Sequence, residues 1–269
     1  MVLPLEFTQE KFAMLLDTYK TFEPANYLQE YYSHIDLENR SLLKFFAKAY
    51  QGIPTDATLL EFSGGPSIYS LISAAQQVKE IHFSDFLSRN LEEVELWKRF
   101  QHRNFLWKSF FREALGFESA DCVTSEQIEQ REQLLREKIT KFILCDAFED
   151  YPLGRRYQGY YDVVAANFVA ESITPSLRTW ENIVQNICSI LKPSGTLIMT
   201  AIQEAEFYYV NGRRYPAVPV SADDVARVLS RLGFHPENIC LESIPAEVTN
   251  ERDEDYKGYK GMLFIKANR

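Results

Sequence analysis

LLEFSGGPSIYSL (residues 59–71) is the stretch whose reading decides the fold. TLLEF (58–62) is a short apolar run, the pattern of a strand buried on both faces. It ends at Ser63-Gly64-Gly65, small residues that permit a sharp turn and close approach of a ligand to the backbone. Pro66 follows with its φ already suited to a helix's first turn, so a helix is expected from there through Val78. In an open α/β sheet this turn lies at the carboxyl end of the first strand, where ligands bind.

Strands and helices alternate outward from it. EIHFSDF (80–86) reads as the second strand, with a helix from Ser88 to about Phe100. KFILCDAF (141–148), YDVVAANFV (161–169) and GTLIMTAI (195–202) read as three more strands, the last preceded by a helix from Ser176 to Leu191. FYYVNGRRYPAVP (207–219) carries Asn211-Gly212 between aromatic runs, a hairpin signal. A helix from Ser221 to Leu232 ends at Gly233, and NICLESIPAEV (238–248) and GMLFIKAN (261–268) supply the last strands. Such alternation predicts an α/β fold: a seven-stranded, mostly parallel sheet with helices on both faces.

Upstream, residues 8–50 carry apolar residues at helical spacing, with a break at Pro24 inside the tyrosine-rich FEPANYLQEYY (22–32). Residues 101–140 are inserted between the second and third strand units; their charged EQIEQREQLLREK is expected to form a solvated helix packed outside. The acidic TNERDEDYKGYKG is too long for a tight turn and is expected to cross over an opening.

Asp85 follows Gly65 by twenty residues and ends the second strand, where an acid can accept both hydroxyl hydrogens of a ribose. A dinucleotide would need G-x-G-x-x-G, whereas the third glycine is missing here and Pro66 has no N–H for a pyrophosphate. The turn suits a ligand without phosphates and disfavours a nicotinamide-dependent oxidoreductase. Asp146, in CDAF (145–148), is placed to accept an adenine's amino hydrogens.

Bulk composition removes other classes. A net charge of −9 with no basic stripe argues against nucleic acid as a partner, and mildly favours a cationic small molecule. The four cysteines and four histidines show neither C-x-x-C nor H-x-x-x-H spacing, so neither a metal site nor a disulfide framework is expected. No apolar run approaches the roughly 20 residues of a membrane span, and MVLPLEFTQEKF lacks the basic and then apolar regions expected of a secretory leader. The expectation is a cytoplasmic protein.

The chain resembles the nicotinamide, phenylethanolamine and indolethylamine N-methyltransferase family of class I S-adenosylmethionine-dependent methyltransferases. The resemblance runs through FEPANYLQEYY, SGGPSIYSL, KEIHFSDFLSRNLEEVELW (79–97), CDAF, LKPSGTLIM (191–199), and YYVNG followed by VPVSADDV. It implies a Rossmann-like single domain over 1–269. Within it, 1–56 form an N-terminal helical lid, 57–206 the core with its insertion, and 207–269 the hairpin, helix and last strands. It implies S-adenosylmethionine as cofactor, with S-adenosylhomocysteine as product, and contacts from Tyr27, Tyr32, Ser63, Gly64, Gly65, Tyr69, Asp85, Asn90, Asp146, Ala147 and Asn167. For the acceptor it points to Tyr31, Thr200, Glu204, Tyr208, Tyr209 and Asp255, with Asp253 and Glu254 beside the last, and to Glu206 as the catalytic acid.

Two positions depart from the family pattern: Ser63 stands where glycine is usual, and Thr200 where the nicotinamide enzyme has an acid. The implied reaction is direct transfer of a methyl group to a small amine, amidine, guanidine or ring nitrogen, in a monomer whose lid covers a small-molecule site. The alternatives are O- or S-methylation, or cofactor binding without catalysis.

Overall fold

The computed structural model describes residues 19–101, 107–119, 121–248, 256 and 258–269. The expected helix over residues 8–18 and the acids Asp253, Glu254 and Asp255 lie outside them. The chain divides into two compact units, one of residues 24–144, the other of the described residues among 19–23 and 145–269.

The unit of residues 24–144 opens with helices α1 (Pro24–Tyr32) and α2 (Leu37–Ala49). Asp36 caps α2, its carboxylate accepting from Asn39 N at 2.7 Å. Strands β1 (Thr58–Glu61) and β2 (Glu80–Asp85) pair in parallel, Thr58 opposite Glu80 and Glu61 opposite Phe83. Helices α3 (Ser88–Lys98), α4 (Lys108–Glu118) and α5 (Ser125–Lys138) lead into β3 (Ile139–Leu144), parallel to β2 with Asp85 opposite Leu144. The expected helix of the insertion is α5. A capping box of Thr124 and Gln127 starts it, and it buries Ile128, Arg131, Leu135 and Arg136 while most of its other side chains meet solvent.

The other unit contains β4 (Tyr161–Asn167), α6 (Leu177–Ser189), β5 (Leu191–Gln203), the hairpin strands β6 (Phe207–Val210) and β7 (Arg213–Pro216), α7 (Ala222–Arg231), β8 (Ile239–Pro245) and β9 (Gly261–Asn268). β4 and β5 are parallel, whereas β9 runs antiparallel to both β5 and β8. At the hairpin tip Asn211 (φ 51°) and Gly212 (φ 70°) both take the left-handed conformation that a two-residue turn requires. Ser221 and Asp224 form a capping box on α7, and Gly233 (φ 90°) follows its end. The seven-stranded, mostly parallel sheet has the order β3-β2-β1-β4-β5-β9-β8. Among the described residues no helix is long and apolar enough to cross a membrane.

Two expectations are corrected. The third strand ends at Leu144, not Phe148, because Asp146 turns the chain by accepting from Phe148 N at 2.9 Å. The continuous helix from Pro66 to Val78 is replaced by two 3₁₀ turns, Tyr69–Leu71 and Ala74–Gln76. Serines explain part of this. Ser67 Oγ donates to Gly64 O at 3.0 Å, and Ser70 Oγ donates to the buried Glu61 carboxylate at 2.9 Å, contacts that compete with regular winding.

The glycine turn is packed from beneath. A Cβ on Gly64 would stand 2.5 Å from Phe83 Cζ and 2.7 Å from Glu61 Cγ, both on buried side chains. Gly64→Ala is therefore expected to destabilise the protein by about 1–3 kcal/mol through overpacking. Urea unfolding measures it, and an unchanged midpoint would contradict the packing described.

Candidate active site

In the unit of residues 24–144, Asp85 ends β2 and is 5% exposed. One carboxylate oxygen accepts from Gly65 N at 2.8 Å; the other accepts from Leu87 N at 2.8 Å and Asn90 Nδ2 at 2.9 Å. Burial nevertheless outweighs these bonds and pushes the Asp85 carboxyl up to about 6. Asn90, on the first turn of α3, is buried, and its Oδ1 has no hydrogen-bond partner among the described residues. Ser63 (φ 52°) and Gly65 (φ 63°) both take left-handed backbone; a Cβ at Gly65 would meet nothing within 4 Å. The side chain at Ser63 therefore sits on backbone that a glycine would adopt without strain.

The tyrosines of α1 pack within the same unit. Tyr27 lies 5.0 Å from Tyr31 and 5.7 Å from Tyr32 between ring centroids, and the Tyr27 and Tyr32 hydroxyls are 3.4 Å apart. Tyr32 also packs on Tyr69 at 5.0 Å, on Trp107 at 5.5 Å and on Phe110 at 5.8 Å. Burial raises the phenol pKa of Tyr27, Tyr31, Tyr32 and Tyr69 above the ordinary value, keeping all four neutral. Neutral hydroxyls and ring faces beside one another suit a cationic group without a counter-ion. Together, Tyr27, Tyr32, Tyr69, Gly65, Asp85 and Asn90 fit S-adenosylmethionine: an unpartnered buried acceptor, a desolvated acid, an open glycine and an aromatic cluster.

In the other unit, Asp146 heads the turn after β3, and Ala147 is buried with its carbonyl accepting from Asn186 Nδ2 at 3.1 Å. Asn167 ends β4, and its Oδ1 accepts from Thr200 Oγ1 at 3.2 Å. Thr200 is fully buried in β5. Glu204, in left-handed backbone at φ 54°, and Glu206 are exposed, and the Glu206 carbonyl accepts from Ala217 N at 3.0 Å. Tyr208 is half-buried and Tyr209 is 40% exposed.

Sequence reasoning missed two buried acids. Glu61 is 1% exposed at the end of β1 and bonded to Ser70. Glu171, also 1% exposed, follows β4; its Oε1 accepts from Ile202 N at 3.0 Å and Ser172 Oγ at 3.3 Å. Desolvation raises the Glu171 carboxyl to about 7 against those bonds. Its neighbour Ser172 accepts at its carbonyl from the Tyr19 hydroxyl at 2.9 Å, and that hydroxyl lies 3.3 Å from the Tyr208 hydroxyl. Tyr208 stacks on Tyr215 at 5.2 Å. An acid standing inside an apolar run, as in LLEF and FVAES, was the available signal.

The model of the NNMT/PNMT/TEMT family matches residues 10–269. The chain belongs to that family. It is thereby an S-adenosylmethionine-dependent methyltransferase. Phenylethanolamine N-methyltransferase of Macaca mulatta is 27% identical over 270 residues, covering 96% of this chain and 92% of the relative. Human nicotinamide N-methyltransferase is 27% identical over 227 residues, covering 81% and 84%. Among solved structures, the 1,6-didemethyltoxoflavin-N1-methyltransferase of Burkholderia thailandensis, with S-adenosylhomocysteine bound, aligns with TM-score 0.53 at 14% identity. That alignment covers 100% of this chain and 93% of the other, and supports the Rossmann-like class I methyltransferase fold.

Proposed function

We propose that the protein methylates a nitrogen of a small molecule, an amine, amidine, guanidine or ring nitrogen, and that Glu171 is the buried acid of the acceptor site. The observation that carries this is a carboxyl raised to about 7 by burial, next to a tyrosine group of Tyr19, Tyr208 and Tyr215. An alkylammonium, whose ordinary pKa is about 10, must lose a proton before its nitrogen can attack. Glu171 would take that proton at a carboxylate oxygen, directly or through water, and the tyrosine faces would hold the cation beforehand.

S-adenosylmethionine, when bound, supplies the electrophilic methyl group. Tyr27 and Tyr32 would face its sulfonium, Ser63, Gly64, Gly65 and Tyr69 its methionine end, Asp85 and Asn90 its ribose and adenine side. Asp146 and Ala147 would take the adenine edge and Asn167 the methionine amino group. Holding nitrogen and methyl in near-attack geometry can supply about 7–11 kcal/mol, so positioning is the main work of these residues. Glu206 would orient the acceptor's cationic end, and Tyr31, Thr200, Glu204, Tyr208, Tyr209 and Asp255 would shape its surroundings. The same reading takes the chain as one domain with residues 1–56 as lid, a cytoplasmic monomer with no nucleic-acid partner.

The test is a thermal-shift titration with S-adenosylhomocysteine, NADH alongside, followed by a turnover screen of small nitrogen compounds. S-adenosylhomocysteine at 100 times its dissociation constant should add about 2.7 kcal/mol of stability, and NADH none. Stabilisation by NADH alone, or turnover only with alcohols or thiols, would overturn the reading.

A further inference from the structure

The segment between β1 and β2 lacks the continuous helix that would pair its own carbonyls, and cations from the insertion occupy several of them. Arg131 Nη1 donates to Ile72 O at 3.1 Å. Lys138 Nζ donates to Val78 O at 2.7 Å and to Lys79 O at 3.2 Å. Arg131 is 3% exposed and is held by Glu118, at the end of α4, through two bonds of 2.9 and 2.7 Å. Arg131 and Lys138 are two turns apart on α5, about 10 Å along its axis, so they lie on one face. The amide of Ile72 closes the Tyr69 turn by donating to Tyr69 O at 3.4 Å. The carbonyl that Arg131 grips therefore belongs to the residue that completes the turn carrying Tyr69.

We propose that Arg131 and Lys138 are positioning residues for the cofactor turn, and that the insertion is a splint holding residues 66–79 from outside. The proposal rests on the reading of Gly65, Tyr69 and Asp85 as cofactor contacts. Short 3₁₀ turns have weak hydrogen-bond geometry and little cooperativity of their own. A buried guanidinium fixed by a carboxylate supplies the rigidity that a regular helix would give. Arg136, on the same helix, provides an internal comparison: its guanidinium stands 4.0 Å from the Trp97 ring and 4.1 Å from the Phe100 ring, and it pairs with Glu132. It anchors α5 without touching the segment of residues 66–79 through any of those contacts.

The experiment compares Arg131→Met, Lys138→Met, Arg131→Lys and Arg136→Met in the full chain. S-adenosylhomocysteine affinity is measured by calorimetry, and amide hydrogen exchange is followed over residues 66–79 without ligand. Arg131→Met should weaken binding about tenfold and speed exchange in that segment; Arg131→Lys should recover part of both. Arg136→Met should lower the melting temperature yet bind within twofold of wild type. Should Arg131→Met fail to fold, Lys138→Met carries the same test on a half-buried residue. Unchanged affinity and exchange in both, or an equal affinity loss in Arg136→Met, would overturn the splint. A wild type that does not bind S-adenosylhomocysteine would sink the cofactor reading instead. Exchange over residues 66–79 would then decide the splint alone: faster in Arg131→Met upholds it, unchanged overturns it.

Discussion

Glu171→Gln is expected to stabilise the protein at pH 8 and to cripple its turnover. The wild-type carboxyl is raised from 4.5 to about 7, so folding favours its protonated form. Its contribution to stability is fully present below pH 4.5 and is lost as pH rises through 7, a difference of about 3 kcal/mol at pH 8. Glutamine stays neutral and can still accept from Ile202 N, so that pH-dependent loss should vanish. For a chain of this size 3 kcal/mol corresponds to a melting temperature roughly 6 °C higher at pH 8, with little gain at pH 5. An amide cannot take a proton from an ammonium, so kcat/KM for an alkylamine should fall about a hundredfold or more. A parallel melting curve at both pH values, or turnover within threefold of wild type, would contradict the assignment.

Those two effects come from one arrangement: an acid placed where water is scarce destabilises its own fold until a cation neutralises it. That also explains what the sequence could not reveal. Glu171 is desolvated by residues distant in the chain, accepting from Ile202 N at its side chain and from Val218 N at its carbonyl. The apolar run around Glu171 signals burial, but no local pattern encodes which distant partners it meets. The alternation of strands and helices was legible because burial on both faces demands continuous apolar runs, as in β1 and β4. The hairpin was legible because Asn211-Gly212 is chemistry for left-handed backbone, and Asp85 because its distance from Gly65 is set by one βαβ repeat. The helix after the glycine turn failed for the converse reason. Pro66 does suit a helix's first turn, but Ser70 is claimed by Glu61 and the Ile72 carbonyl by Arg131. A local preference lost to partners that only the folded chain supplies. Glu206 was read from the family resemblance, and its side chain is exposed.

Asp85→Asn should all but abolish cofactor binding while leaving the fold intact. The carboxylate serves Gly65 N with one oxygen and Leu87 N and Asn90 Nδ2 with the other. An asparagine has one acceptor oxygen; whichever way it turns, its amide nitrogen faces a donor, and at least one N–H is left unpaired at about 1–3 kcal/mol. Removing a desolvated charge offsets part of this, so unfolding free energy at pH 7 should change little. Binding has no such offset, because a ligand's hydroxyl hydrogens need the carboxylate as acceptor. S-adenosylhomocysteine affinity is expected to fall about a hundredfold, equivalent to about 2.7 kcal/mol. The wild type should show the same dependence through pH: with the free carboxyl at about 6, affinity should weaken as pH drops below 6, and Asp85→Asn should be flat there. Calorimetric titrations at pH 5 and 7.5 on both proteins test this. Tight binding by Asp85→Asn, or a wild-type affinity indifferent to pH, would mean that Asp85 only ties the glycine turn to α3 and never meets the ligand.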